Sequence, residues 1–343
     1  PYKGTHPTLK GLDARMRANA SVFGPQVKRP PSARALDAIP APLRAWYTQV
    51  FEHGLRAPPP AVMPGAAPAV AALTDGRALA VQPVWTAPSR VQRAVEHLGC
   101  LVVACADGIW VDRRRVGPAP PEPAAIGFAG RDQRPVVAHV ADGRLRLFDA
   151  QRRAPIDSEL AARAVTATRD GRLLALGGGH LVEVRLHPVG DQLVAAPRVL
   201  ARVRPAATEL LDGVAIERLP GGAQALVSLA PGQVLPVPLP AGTVVDARAD
   251  GAALVVGLHT PDGPRRALIR LGRGAPDVQI TDDPPEAELV VLDRGVAVLL
   301  DADGLSLVPA APRAPGQRRV PTDQLREGAT LTRLGDRVGA IQG

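Results

Sequence analysis

From residue 69 onward, short runs of Val, Leu, Ile and Ala alternate with polar, Gly- and Pro-rich punctuation. The apolar positions repeat every second residue or run on continuously. That pattern predicts β-strands and excludes a helical solenoid, whose period is 3.6. Asp-Gly dipeptides separate many of the runs, as in residues 136–148 (VVAHVADGRLRLF). Asp-Gly between apolar runs supplies the positive-φ turn of a β-hairpin. Clear strand–turn–strand units are expected over 70–81, 101–111, 136–148, 165–176, 244–256 and 296–308, with weaker strands at 180–186, 223–229, 267–271 and 288–292.

Eight Asp-Gly pairs occur, and seven recur at spacings of 32, 35, 28, 42, 38 and 53 residues, a mean of 38. The predicted turns are Asp75-Gly76, Asp107-Gly108, Asp142-Gly143, Asp170-Gly171, Asp250-Gly251 and Asp303-Gly304, with Asp212 also in the series. One hairpin per roughly 40 residues is the signature of a β-propeller. The rival fold is a set of β-sandwiches, which also give short strands at regular spacing, but a hairpin recurring at a mean of 38 residues favours the propeller. The fold class is therefore mainly β, a propeller of about seven blades, within a range of six to eight, over 69–343, similar to a degenerate WD40 or YVTN-type repeat. Closure of the ring is expected to place 69–81 beside 330–341, because an open ring would leave terminal blade faces bare.

The first sixty residues have a different pattern. Leu43, Trp46, Tyr47, Val50 and Phe51 recur at i, i+3, i+4, i+7 and i+8, which predicts an amphipathic helix with Pro42 in its first turn and Gly54 at its end. A shorter helix is expected over 12–20, with Leu12 and Met16 on its apolar side and Arg15 and Arg17 exposed. Composition breaks at the same place. Residues 1–60 carry nine Lys and Arg against three acids and five of the nine aromatics, whereas the remainder has 32 basic residues against 30 acids within a total net charge of +8. The expected division is a helical segment 1–57, a Pro/Ala linker 58–68 and the propeller. Two helices this short cannot bury their stripes on each other alone, and the chain starts without Met, so a true N-terminus upstream is expected.

The stretch Gly4-Thr5-His6-Pro7, then a basic helix, a proline-rich loop, and Ile39-Pro40-Ala41-Pro42-Leu43-Arg44 leading into a helix that ends Phe51-Glu52-His53-Gly54-Leu55-Arg56-Ala57-Pro58, resembles the end of a bacterial Ser/Thr protein-kinase C-lobe. The resemblance covers about 58 residues. It implies structural roles for His6, Pro7, Trp46 and Arg56, the last matching the arginine that pairs with an activation-segment glutamate. Ala57 between Arg56 and Pro58, and the linker PPPAVMPGAAP where a final helix belongs, depart from the family pattern. No glycine-rich loop, V-A-I-K lysine, H-R-D or D-F-G occurs, so this chain holds no kinase chemistry. ATP and Mg²⁺ would belong only to an upstream kinase, and no cofactor is expected in the chain itself.

The remaining chemistry is sparse. Seven dispersed histidines (His6, His53, His97, His139, His180, His187, His259) have no metal-ligand spacing, and no residue type or spacing marks a catalytic site. Cys100 and Cys105 fall five apart on one strand, hence on opposite faces, which disfavours a mutual disulfide and fits plain buried thiols in a reducing compartment. Gly177-Gly178-Gly179 before His180 reads as a hairpin turn. Arg113, Arg114 and Arg115 form the densest basic cluster of the ring and a candidate interaction surface, otherwise a solvated connector. Asp282, Asp283, Glu286 and Glu288 read as acidic loop surface. Abundant Arg and Ala with three lysines reads as compositional bias without functional meaning.

The functional expectation is a cytoplasmic, monomeric propeller that binds a protein partner, tethered to a kinase-like domain in bacterial signalling. Nucleic acid is not expected, because the ring is near neutral and poor in stacking aromatics. A membrane span is not expected, because no apolar stretch is long enough. The rival readings are a channel enzyme or small-molecule sensor, for which His139, His187 and His259 would have to line one channel, and a stand-alone scaffold.

Overall fold

The computed structural model describes residues 5–28, 41–55, 82–130, 132–272, 275–282, 287–293, 295–301, 304–311, 317–321, 325, 329–335 and 337–342. The chain divides into two compact units, Pro1–Ala69 and Val70–Gly343. The expected strand–turn–strand unit at 70–81, with Asp75-Gly76, the linker 58–68 and Arg56 lie outside the described residues.

The smaller unit contains two helices, α1 (Leu12–Arg17) and α2 (Ala41–Phe51). On α2 the predicted stripe is its half-buried side, with Tyr47 stacked between Phe23 and Phe51 at centroid distances of 5.7 Å each. Trp46 tilts against Tyr47 at 5.1 Å. Gly54 takes φ 68°, the left-handed conformation that ends a helix. The smaller helix reverses the expectation. Arg15 is buried, its Nε donating to the Gly11 carbonyl, while Leu12 and Met16 are about half exposed. The helix is six residues long, too short for its own periodicity to fix which face is buried.

The larger unit is a β-propeller. Its first blade is β1 (Val91–His97), β2 (Cys100–Cys105), β3 (Gly108–Val111) and β4 (Arg114–Gly117). The second is β5 (Ala125–Ala129), β6 (Arg134–Ala141), β7 (Arg144–Asp149) and β8 (Ala154–Ile156); the third is β9 (Ala164–Ala167), β10 (Leu173–Gly177), β11 (His180–Val189) and β12 (Gln192–Arg202). The fourth comprises β13 (Thr208–Leu211), β14 (Val214–Leu219), β15 (Gly222–Ala230) and β16 (Gln233–Pro238), and the fifth β17 (Thr243–Asp250), β18 (Ala253–Thr260), β19 (Gly263–Arg270) and β20 (Asp277–Thr281). The sixth is β21 (Leu289–Val291), β22 (Val296–Asp301), β23 (Gly304–Pro309) and β24 (Arg318–Pro321), followed by the hairpin β25 (Thr330–Leu334) and β26 (Arg337–Ile341). Within each blade the strands pair in sequence order and antiparallel.

Six four-stranded blades are present among the described residues, not the seven expected. The last hairpin joins the first blade, β25 pairing parallel to β1 at Glu96 and Leu334. The first strands of successive blades touch one another in order, β1 with β5, β5 with β9, and so on to β21 with β25 and β25 with β1. They therefore line the axis, and β25 stands in that series with one partner strand, β26, behind it among the described residues.

The Asp-Gly count misled because the dipeptide is not a fixed point of the blade. Asp107-Gly108 and Asp142-Gly143 join second to third strands, whereas Asp170-Gly171, Asp212-Gly213 and Asp250-Gly251 join first to second. The fifth blade also carries Asp262-Gly263. Among the described Asp-Gly pairs only Asp142-Gly143 has positive φ at both residues (53° and 69°), as a type I′ turn requires. Gly108 does not have the positive φ expected of it; a Cβ there would stand 2.8 Å from the Gly117 carbonyl, so close backbone approach is what it provides. Asp303 lies outside the described residues, and of the three glycines before His180, Gly178 and Gly179 form the β10–β11 turn while Gly177 ends β10.

Each seam between blades holds an apolar cluster. Leu173 and Ala175 of β10 pack toward the second blade, while Leu174 and Leu176 pack toward the fourth. In β18, Leu254, Val256 and Leu258 face the fourth blade and Ala253 and Val255 the sixth. A strand covered on both faces needs no polar side, which is why these runs are continuous in sequence. Arginines reinforce the seams. Arg172 donates to the Ser228 hydroxyl and to the Ser228 and Ala230 carbonyls, Arg266 to the Leu300 carbonyl, and Arg270 to the Pro309 carbonyl. A planar guanidinium presents five donors in a fixed fork, against three on a freely rotating lysine ammonium, so the Arg bias has a structural use.

Candidate functional site

The first strands bring charged side chains from distant parts of the sequence to the axis. Arg93 of β1 forms a bidentate pair with Asp212, 119 residues away at the end of β13, with contacts of 2.6 and 2.9 Å. The same carboxylate meets Arg248 Nε of β17 at 3.1 Å. Arg248 Nη1 continues to Glu288 Oε2 at 3.0 Å and to the Leu331 carbonyl at 2.9 Å, and the Leu331 N–H donates to Glu288 at 2.7 Å. A second branch runs from Arg169, in the β9–β10 turn, to Asp250 at 2.9 Å, to the Val291 carbonyl, and to Asp293 at 2.8 Å. Asp293 also accepts from Arg333 of β25. Asp250 in turn accepts the Val291 N–H at 2.5 Å.

Four guanidiniums and four carboxylates from five blades and the last hairpin are thus paired around the axis. Burial acts to raise Asp212, and the charges of Arg93 and Arg248 overcome it, bringing the carboxyl down to about 2. Arg93 is held above its ordinary value chiefly by the Asp212 charge. Glu288 moves the other way, raised by burial and then by the Asp212 and Asp246 charges, against the pull of Arg248. The side chains are extensively paired with one another, and the arrangement presents a compensated ionic plug.

The histidines do not converge there. His187 and His259 are exposed on β11 and β18, and His139 sits on β6 opposite Arg146, its Nδ1 without a hydrogen-bond partner. Burial and the Arg146 charge lower His139. Among the described residues no three His, Cys, Asp or Glu side chains form a metal-binding group. Cys100 and Cys105 are free thiols, and burial pushes Cys105 up to about 11, far from a reactive thiolate.

Arg113, Arg114 and Arg115 are exposed, but only Arg113 lies in a connector, Arg114 and Arg115 opening strand β4, and two of the three bind backbone. Arg113 donates to the Val84 carbonyl at 3.0 Å and Arg115 to the Asp107 carbonyl at 2.7 Å. Of the acidic group at 282–288, Asp283 and Glu286 lie outside the described residues and Asp282 pairs with Arg265 on the surface. Glu288 is not loop surface as expected; it closes the axis, because the chain turns inward there to start β21. In the smaller unit, His6 Nδ1 accepts from the N–H groups of Thr8 and Leu9 and its Nε2–H donates to Gln26 Oε1 at 3.0 Å, while Pro7 is exposed. His6 therefore fixes the entry to α1.

No protein-family model matches the chain, and no curated protein does. Solved structures with some likeness include the β-propeller domain of Myceliophteria thermophila Cps50 (Swd1), 12% identical over 74% of this chain and 93% of that one, with a TM-score of 0.45. Kluyveromyces lactis Hsv2 is 10% identical over 74% and 90%, TM-score 0.43, and the computationally designed Ika8 protein 13% identical over 73% and 83%, TM-score 0.42. Likenesses this distant say nothing of function. The class of the larger unit, a β-propeller module, rests on its own strand order. Among the described residues no helix is long and apolar enough to cross a membrane.

Proposed function

We propose that the propeller is a protein-binding module that works through its outer walls and loops. The observation behind this reading is the axis. Its charged groups pair across the ring and so occupy the place where a propeller enzyme or small-molecule sensor would hold its substrate, whereas the loops and outer strands are accessible. Rigid rings that present loops on fixed strands suit recognition. The finer reading, that the module is tethered to a kinase-like domain in bacterial signalling, is supported only by the motif residues at 4–7 and 39–58 and by α2 ending at Gly54.

The 343-residue chain, immobilised and exposed to lysate of its source, should capture a protein whose chemical cross-links map to propeller loops or outer strands. Cross-links confined to residues 5–55, or a small molecule that binds saturably and is lost when Arg93 and Asp212 are replaced together by Met and Leu with the melting temperature little changed, would move the function elsewhere.

A further inference from the structure

The wall between the second and third blades contains a groove of about 430 Å³, within the range of ligand pockets. One side is the outer hairpin of the third blade, in which Val184 pairs with Pro197 and Leu186 with Ala195. Side chains alternate along a strand, so Val184, Ala195 and Pro197 turn to the groove. Glu183 and Arg198, one residue away on each strand, turn to the fourth blade, where Glu183 accepts the Gly232 N–H at 2.6 Å. The other side is the connector from β8 to β9, with Leu160 at the floor and Asp157 and Glu159 at the rim. That connector is anchored: Leu145 donates its N–H to the Leu160 carbonyl at 2.9 Å and Ala162 donates to the Gly143 carbonyl at 3.0 Å. The groove is therefore built on fixed backbone.

Its electrostatics differ from those of the axis. There, carboxylates from several blades meet guanidiniums. Asp157 and Glu159 are both exposed and have no ion-pair partner among the described residues, although Arg134 and Arg152 of the same blade pair with Asp149 and Asp191. An apolar floor with two uncompensated carboxylates at its lip is complementary to one kind of occupant: an aliphatic side chain next to a cation. We propose that this groove docks a short extended segment of a partner protein, in which a Leu, Ile or Val enters between Val184, Leu160 and Pro197 and an adjacent Lys or Arg meets Asp157 and Glu159. The inference rests on the protein-binding reading and names the surface and the chemistry of its partner.

The test uses the full chain and a fluorescein-labelled hexapeptide with Leu-Lys-Arg at its centre. Saturable binding is expected, weakening as salt rises. The Asp157→Asn, Glu159→Gln double variant should bind about tenfold more weakly with an unchanged melting temperature, since both side chains are exposed. A control peptide with two glutamates in place of the basic pair should not bind. Absence of binding, equal affinity for the double variant, or binding that ignores the peptide's charge would overturn the proposal. If the lysate experiment then still yields propeller cross-links away from this groove, the groove is wrong and the protein-binding reading stands. If neither experiment yields binding, both fall.

Discussion

The axis and the seams of this ring are held by opposite chemistry. At the seams, residues such as Leu174, Leu254 and Ile269 are fully enclosed and contribute through area and close packing. At the axis, Arg93 and Asp212 retain 28% and 24% of their side-chain exposure and are held by charge and hydrogen bonds. Seams tolerate any apolar residue of suitable volume, so they make blades adhere without deciding which blade faces which. An axial ion pair fixes partners by geometry. Arg93 joins the first blade to the fourth and Arg169 the third to the fifth and sixth, so the plug specifies the register of the ring.

The comparison can be broken most forcefully by removing one axial partner. Arg248→Ala leaves Asp212 and Glu288 facing each other without their shared cation, and a loss of about 3–5 kcal/mol is expected in urea unfolding. Replacing Arg93 and Asp212 together by Met and Leu should change stability far less, and would show that the pair supplies specificity more than energy. At a seam, Ile269→Ala should cost about 2–5 kcal/mol through lost burial and a residual cavity; a cost below about 1 kcal/mol would mean that the seam collapses around the gap.

Acid gives a smaller effect with a definite sign. The Asp212 carboxyl is depressed in the folded state, so its contribution is complete above the unfolded value near 4 and is lost as pH falls toward about 2. About 2 kcal/mol separates those limits. The melting temperature of wild type should therefore fall toward that of Asp212→Asn between pH 4 and 2. Glu288 is raised, so its protonation on acidification favours the folded ring, and Glu288→Gln should fall more steeply than wild type over the acid range. The smallest effect is expected on the surface, where Arg152→Ala breaks an exposed pair with Asp191 and should shift stability by less than about 1 kcal/mol.

The blades were readable in sequence because a doubly covered strand has to be apolar throughout. The hairpins at 101–111, 136–148, 165–176, 244–256 and 296–308 all form. Their number was not readable, because turn chemistry is set by local backbone geometry and Asp-Gly serves two different turns of the blade. The axis left no local signal. Arg93, Asp212, Arg248 and Glu288 each look like an ordinary charge beside an apolar run, and what unites them is a topology that brings positions 36 to 119 residues apart together. The acidic rim at Asp157 and Glu159 was equally silent, since its meaning depends on the hairpin opposite. The α1 expectation failed for the reverse reason: two apolar residues one turn apart imply a buried side only when enough neighbouring chain packs against it.

The contact that completes the ring also sets an order in time. Thr332 donates its hydroxyl hydrogen to the Ala94 carbonyl across 238 residues of chain, so β1 cannot acquire that neighbour until nearly the whole propeller has been synthesised. At ribosomal rates this is a wait of roughly 10 to 50 seconds, during which the inner edge of β1 is available to any other strand that reaches it.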